Sequence, residues 1–255
     1  MKIDLNSDLG EGYGRWKGGD DEELMKVISS ANVACGFHAG DAIIMTRTVE
    51  MAKQNGVAVG AHVGLPDLLG FGRVAMDIKP EDMQKHALYQ LGALSAIAKV
   101  GGYKVTHANS HGALGAMSKA NHAYVELMLD VFKAFDPELM VAGSVNTYGL
   151  SYARKIGLRT VGKIFADRNY DDDCHLITRK HPKALVTDLE EVRARITQFL
   201  DDGSITTLSG KRIKVDAKCV LVHSDTPGAL TIARTVRETV EKGGGEIVPF
   251  TQFAD

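Results

Sequence analysis

Cysteine is scarce in this chain: Cys35, Cys174 and Cys219 are the only three in 255 residues, widely spaced and without a C-x-x-C pair. That excludes a disulfide scaffold and a cysteine-rich zinc site, and it suits a reducing cytosol. Charge of one sign is missing as well. The 30 basic residues stand against 32 acidic ones, a net of −2, without the basic excess or basic blocks of a nucleic-acid footprint. No stretch approaches the roughly 18 apolar residues of a membrane span. The opening MKIDLNSDLGEG has an acid at its fourth position and no apolar run, so it does not read as a signal peptide. The expectation is a cytoplasmic protein that engages neither nucleic acid nor membrane.

Several catalytic signatures are also absent. Residues 157–164, GLRTVGKI, approach a P-loop, but Ile164 replaces the hydroxyl that would hold Mg²⁺ and the segment reads as a strand. Gly10-Glu11-Gly12-Tyr13-Gly14 is followed by Arg15 where a dinucleotide fingerprint needs its third glycine. No G-x-S-x-G elbow occurs. His107 and His111 lack the glutamate of H-E-x-x-H, and Asp171-Asp172-Asp173 lacks the glycine and distal glutamate of an EF-hand. His86 and His122 lie in helix-patterned segments and read as ordinary histidines.

What is present is alternation. Strand-like runs fall at Ile3–Leu5, Asn32–Cys35, Val57–Ala61, Tyr103–Thr106, Leu139–Ala142, Thr160–Phe165 and Cys219–Val222, with a possible last one at Ile247–Phe250. Helical patterns lie between them. Over residues 79–102, Met83, Ala87, Leu91, Leu94 and Ala98 share one face, with Pro80 at the start and Gly101-Gly102 at the end. Residues 188–203 repeat the pattern with Leu189, Val192, Ile196, Phe199 and Leu200. A third helix follows Asp225 or Thr226 as its cap. Such βα alternation predicts parallel strands with right-handed crossovers in one α/β domain over residues 1–255. Residues 204–218 read as a small hairpin inserted near the end.

Seven successive strands run into polar residues: Asn6-Ser7-Asp8, His38, His62, His107 with Asn109-Ser110-His111, Ser144 and Asn146, Asp167-Arg168, and His223-Ser224-Asp225. In parallel α/β proteins these ends share one face, where active sites assemble. Helix capping explains Asp225, Ser144 and Asp41, but it explains the histidines poorly. Glycines crowd the same loops, as expected where the chain turns tightly or a ligand meets backbone. Asp8, His38 and His62 form one possible divalent-metal set; a carboxylate–imidazole network for proton transfer is the alternative.

The blocks DLNSDLGEGYG (4–14), SANVACGFHAGD (30–41), GAHVGLPDLLGFGR (60–73), HGAL (111–114), FADRNYDDD (165–173) and VHSDTPGA (222–229) resemble the LamB/YcsF family, in family order and across nearly the whole chain. Its best-understood members are A subunits of prokaryotic 5-oxoprolinase. The resemblance implies a distorted (β/α) barrel of about seven parallel strands, glycoside hydrolase/deacetylase-like. It also implies ATP-dependent opening of 5-oxo-L-proline to L-glutamate, performed with subunits B and C, with the main ATP site on a partner chain. A lactam carbonyl is a poor electrophile, and phosphorylating its oxygen would supply a leaving group. Acid–base or orienting candidates are Asp8, His38, His62 and His111, followed by Glu11 and Asp41. Substrate-binding candidates are Asn6, Asp67, Asn109, Asp167, Arg168 and Asp225, with Arg168 as a bidentate fork for a carboxylate or phosphate.

The chain departs from the family at several points. Asn109 and Ser110 stand where lysine and proline are usual, Gly115 at a usual tyrosine, Val63 at a usual proline, and Ser224, Cys174 and Lys183 at usual glycines. At position 109 a neutral amide replaces an ammonium. Two other readings therefore stand beside the oxoprolinase. One is a stand-alone metal-dependent amide hydrolase or deacetylase; the other is a non-catalytic subunit that binds a small carboxylic acid. Self-association is compatible with all three.

Overall fold

The first strand explains the barrel's interior. In β1 (Lys2–Leu9) every second residue is polar: Asp4, Asn6 and Asp8 line one face, while Ile3, Leu5 and Leu9 line the other. The apolar row packs outward against helices and the polar row faces the barrel axis. The protein, here as a computed structural model describing residues 1–253, continues with β2 (Ser30–Ala34), β3 (Ala58–Val63), β4 (Val105–Ser110), β5 (Met140–Ser144) and β6 (Thr160–Phe165). A short antiparallel hairpin, β7 (Ser204–Thr206) and β8 (Arg212–Lys214), precedes β9 (Cys219–His223). All barrel pairings are parallel, and β9 pairs with both β6 and β1, which closes a ring of β1–β6 and β9. This is the seven-stranded parallel barrel expected. A final strand, β10 (Glu246–Ile247), pairs with the start of β1.

Helices α1 (Asp21–Met25), α2 (Ala42–Asn55), α3 (Pro80–Val100), α4 (Ala113–Ala120), α5 (Ala123–Phe135), α6 (Tyr148–Lys155), α7 (Leu189–Asp202) and α8 (Ala229–Lys242) surround it. None is long and apolar enough to cross a membrane. In α3 the predicted stripe of Met83, Ala87, Leu91, Leu94 and Ala98 is completely buried, each residue at 0% exposure. Each such leucine contributes about 1.5–3 kcal/mol by leaving water. In α7, Asp188 accepts from the Glu190 and Glu191 amides at the start, and Gly203 ends the helix in the left-handed conformation at φ 65°.

Three boundaries differ from the sequence reading. Several strands run further than their apolar runs suggest, so Asn6, Ser7, Asp8, His62, His107, Asn109, Ser144 and His223 lie within strands rather than after them. The reason is the polar barrel axis, which lets a strand continue through hydrophilic residues. Helix α8 is not capped by Asp225 or Thr226 but follows Gly228, because Asp225 is held by arginines and Thr226 by Asp167. The last run pairs only at Glu246–Ile247.

Phe250 then enters a 3-10 turn and closes the bottom of the barrel, packed among Met140, Ala142, Val161 and Cys219. The His107 ring meets it edge-on at 4.6 Å.

Candidate active site

At the opposite end, the C-terminal ends of β1–β4 and their loops bring four side chains to one point. Glu11 follows β1, His38 follows β2, His62 closes β3 and His111 follows β4. Glu11 Oε1 lies 3.3 Å from His38 Nε2, 3.3 Å from His111 Nδ1 and 3.8 Å from His62 Nε2. His62 Nε2 and His111 Nδ1 are 2.9 Å apart. All four side chains are buried. The His38 and His111 rings stack at 3.8 Å, with His62 perpendicular to both. Glycine makes this packing possible: a Cβ at Gly64 would lie 2.3 Å from His38 Nδ1.

Asp8 stands just below. Its Oδ1 is 3.5 Å from His62 Nε2 and accepts from Asn32 Nδ2 at 2.7 Å. Asn32 also donates to Asn6 Oδ1 and faces His107 Nε2 at 3.0 Å, so a polar column descends through the barrel. Burial pulls the His107 imidazolium down to about 3, helped by the Lys163 charge, so this ring is neutral. The environments separate the two acids. Burial, reinforced by the Glu11 charge, raises Asp8. Burial also pushes Glu11 up, but the facing His111 and His38 rings outweigh it and hold Glu11 well below the usual range. Burial lowers His38 and His62.

A second carboxylate–imidazole group completes the mouth. Asp167 Oδ2 lies 3.0 Å from His223 Nδ1 and accepts from Thr226 Oγ1 at 2.5 Å. Burial would raise Asp167, but His223 and Thr226 hold it below its ordinary value. The Asp167 contact keeps the proton on Nδ1 and leaves Nε2 as the acceptor. His223 is the register partner of Asp8 on the neighbouring strand, so both share the inner face. At the rim, Asp225 bridges two arginines: Oδ2 to Arg73 at 2.8 Å and Oδ1 to Arg179 at 3.2 Å. A cavity of about 230 Å³ opens beside Ser224 and Thr226, and Ser224 Oγ is 3.5 Å from Glu11 Oε2. A larger depression of about 630 Å³ lies between α7 and the β7–β8 hairpin. It contains none of these buried groups.

Of the residues singled out from sequence, Asp8, Glu11, His38, His62 and His111 come together, with Asn6 and Asn109 adjoining and Asp167 and Asp225 across the mouth. Three do not join them. Asp41 caps α2, accepting from the Ile43 and Ile44 amides on one oxygen and from Gly14 on the other. Asp67 shapes a turn by accepting from Gly70 N at 2.7 Å. Arg168 is no free fork: Nε donates to Ala184 O and Nη2 to Ile177 O, tying down the loop after β6. Burial, with the Arg179 and Arg73 charges, lowers its guanidinium to about 10.

Five further residues of the site are not among the sequence candidates: Asn32, Arg73 and His223, which lie inside the family blocks, Lys163, and Arg179, which lies in no motif. The Lys163 side chain is buried inside the barrel, where burial lowers it against the favourable charge of Asp8. It belongs to the GLRTVGKI segment, whose second half is β6 rather than a phosphate loop.

Comparison with known proteins agrees with this architecture. The model of the LamB/YcsF family matches residues 3–255. The chain belongs to the LamB/YcsF family. Within that family it is 49% identical to a Bradyrhizobium diazoefficiens protein named as a 5-oxoprolinase A subunit, over 98% of each chain. It is 44% identical to the 5-oxoprolinase A subunit of Pyrococcus horikoshii, over 99% of each. The crystal structure of a lactam utilization protein from Thermus thermophilus superposes with a TM-score of 0.91 at 40% identity, covering 97% of this chain and 99% of that one.

Proposed function

We propose that this LamB/YcsF member is the ring-opening A subunit of an ATP-dependent 5-oxoprolinase, converting 5-oxo-L-proline to L-glutamate together with B and C subunits. The observation that carries the reading is the convergence of buried acids and imidazoles at the mouth of a barrel whose relatives bear oxoprolinase and lactam-utilization names. Arg73 and Arg179 receive the substrate carboxylate in exchange for Asp225, an anion-for-anion trade at a pair of guanidiniums that a single carboxylate only half neutralises. The lactam ring then lies over Asp8 and His223. A partner chain transfers the γ-phosphoryl group of ATP to the lactam carbonyl oxygen and releases ADP. Water adds to the carbonyl carbon, and the C–N bond breaks with the ring nitrogen departing as an amine. A second water hydrolyses the resulting acyl phosphate to the carboxylate and phosphate. His223 Nε2 takes the proton from water and returns it to that nitrogen, while Asp167 holds the imidazole. The negative charge developing at the carbonyl oxygen calls for preplaced hydrogen-bond donors or a cation, and the buried imidazole cluster is where either would be held.

The one P-loop-like segment of this chain does not fit a nucleotide. Residues 160–165 form β6 and supply no phosphate-cradling loop before a helix. Consumption of ATP is therefore assigned to the partner chains. Exposed Trp16, Ile43, Leu69 and Val74 lie on the βα side of the barrel and give those partners an apolar rim to cover.

The test is glutamate release from 5-oxoproline by this chain, alone and with B and C subunits, with and without ATP. Release only in the complete mixture, abolished by Asp8→Ala, is expected; no release in any mixture would overturn the proposal. Release by the chain alone without ATP would establish the stand-alone amide hydrolase, a reading favoured by the four-residue cluster.

A further inference from the structure

Hydrogen-bond accounting at the cluster leaves a deficit. His111 Nε2 faces the Phe71 carbonyl at 2.9 Å. A carbonyl only accepts, so the ring proton sits on Nε2 and Nδ1 carries a lone pair. His62 repeats the pattern: Nδ1 faces Asn109 Oδ1 at 2.7 Å, which leaves the lone pair on Nε2. These two lone pairs point at each other across 2.9 Å. Glu11 Oε1 and both nitrogens of His38 are buried without any hydrogen-bond partner. Unpartnered buried acceptors are costly, at about 1–3 kcal/mol each. Here several converge on the same volume.

A single proton can bridge one pair of these atoms. A metal ion can bridge all four once the parallel His38 and His111 rings tilt to bring both lone pairs onto it. A tetrahedral ion with bonds of about 2.0–2.1 Å separates its ligand atoms by about 3.3–3.4 Å. Four of the six separations are 2.9, 3.3, 3.3 and 3.8 Å, and all four atoms lie within 4.8 Å of one another, so His38 must draw in to complete the tetrahedron. We infer that Glu11, His38, His62 and His111 form a binding site for one divalent transition-metal ion of the zinc class. Three imidazoles and one carboxylate suit such an ion better than magnesium or calcium, which prefer all-oxygen shells.

This set differs from the one read in the sequence, because Asp8 is replaced by Glu11 and His111. The Phe71 carbonyl and the Asn109 amide fix the two tautomers, as groups behind metal-binding histidines do. Asn109 thereby acquires a defined task. Its oxygen accepts the His62 Nδ1 proton, whereas an ammonium at this position has only donors and cannot accept it. The inference rests on the same cluster as the proposed function, but it is read without any lactam substrate.

The experiment is titration of chelator-treated full-length protein with Zn²⁺ by calorimetry, together with the visible absorption of the Co²⁺-loaded protein. One equivalent of Zn²⁺ and the strong absorption of four-coordinate Co²⁺ are expected. His38→Ala and His111→Ala should weaken Zn²⁺ binding by more than about 100-fold, and Asn109→Lys by about 10–100-fold. Asp8→Asn should change it by less than about 10-fold. Circular dichroism of each variant separates loss of the site from loss of the fold, and the Co²⁺ spectrum of the unmutated protein stands independently of any variant. No saturable binding, a six-coordinate Co²⁺ spectrum, or binding lost in Asp8→Asn but kept in His111→Ala would overturn the inference. Glutamate release plays no part in these readouts, so failure of the oxoprolinase reading leaves this result standing, and the reverse also holds.

Discussion

Two carboxylates on the same face of β1, Asp4 and Asp8, have opposite fates. At the closed end Asp4 is fully engaged. Its Oδ2 accepts from Ser29, from Ser30 and from the Phe250 amide, while Cys219 Sγ lies 3.4 Å from its Oδ1. Phe250 seals it from water. At the open end, the groups around Asp8 are left incomplete: Glu11 Oε1, both His38 nitrogens and Asn109 Nδ2 are buried without partners. A folded chain that satisfies polar atoms at one end and leaves them unsatisfied at the other is holding the second set for something else. The closed end is where burial is spent on stability, and the open end is where chemistry is expected.

The sharpest way to break this contrast is to truncate one residue at each end. His223→Ala should lower kcat for lactam opening by about 10²–10⁴-fold while leaving the unfolding midpoint within a few degrees, measured by steady-state kinetics and calorimetry. Phe250→Ala should do the reverse. It removes a fully buried ring and should cost about 3–5 kcal/mol in denaturant unfolding, with kcat changed only modestly. Comparable kinetic losses in both variants would erase the distinction.

Asp4 sharpens it through pH. Burial raises its carboxyl to about 6 despite the bonds from Ser30, Cys219, Phe250 and Ser29. The unfolded value is about 3.9, so between these pH values the folded state binds the extra proton. Stability therefore falls as pH rises through this window, by on the order of 3 kcal/mol, and then levels off above it. Asp4→Asn keeps an oxygen for Ser29, Ser30 and the Phe250 amide. It should flatten the pH dependence and stabilise the protein at pH 8 relative to the parent, as read by urea denaturation at pH 4 and pH 8. An unchanged pH profile would show that Asp4 does not titrate in this range.

The smallest expected effect separates two arginines. Arg73→Ala should raise KM for 5-oxoproline by about 10–100-fold with kcat nearly unchanged, since a carboxylate clamp contributes to binding. Arg168→Ala should leave KM close to the parent value and lower thermal stability instead, because its donors hold the Ala184 and Ile177 carbonyls. The opposite pattern would restore Arg168 as the substrate fork.

These arginines also mark where the sequence becomes hard to read. The barrel was legible because its signals are local: the α3 stripe, the Asp188–Gly203 brackets of α7, and Thr160–Phe165, which is β6 to the residue. The histidine-bearing strand ends were legible because parallel topology forces them to one side. Their strands run further than the apolar pattern indicates, because a polar barrel axis looks like a loop when taken one residue at a time. Asp41 and Glu11 are both acids in glycine-rich loops. Only the position of Asp41 immediately before α2 distinguishes a cap from a site residue. Nothing local distinguishes Arg73 from Arg168. Arg73 reaches Asp225, far along the chain, only because the loops after β3 and β9 meet over the mouth. In sequence Asn109 stands out only as the loss of an ammonium, whereas its contact with His62 shows the gain of an acceptor.

Reception of the lactam by the open end of the barrel is the central claim. The most direct measurement is a crystal structure of this protein soaked with 5-oxo-L-proline. The expected result is the carboxylate between Arg73 and Arg179 in place of Asp225, with the lactam ring over Asp8 and His223 beside the Glu11 cluster. A fully occupied ligand in the groove between α7 and the β7–β8 hairpin, with the mouth left as it is, would contradict it.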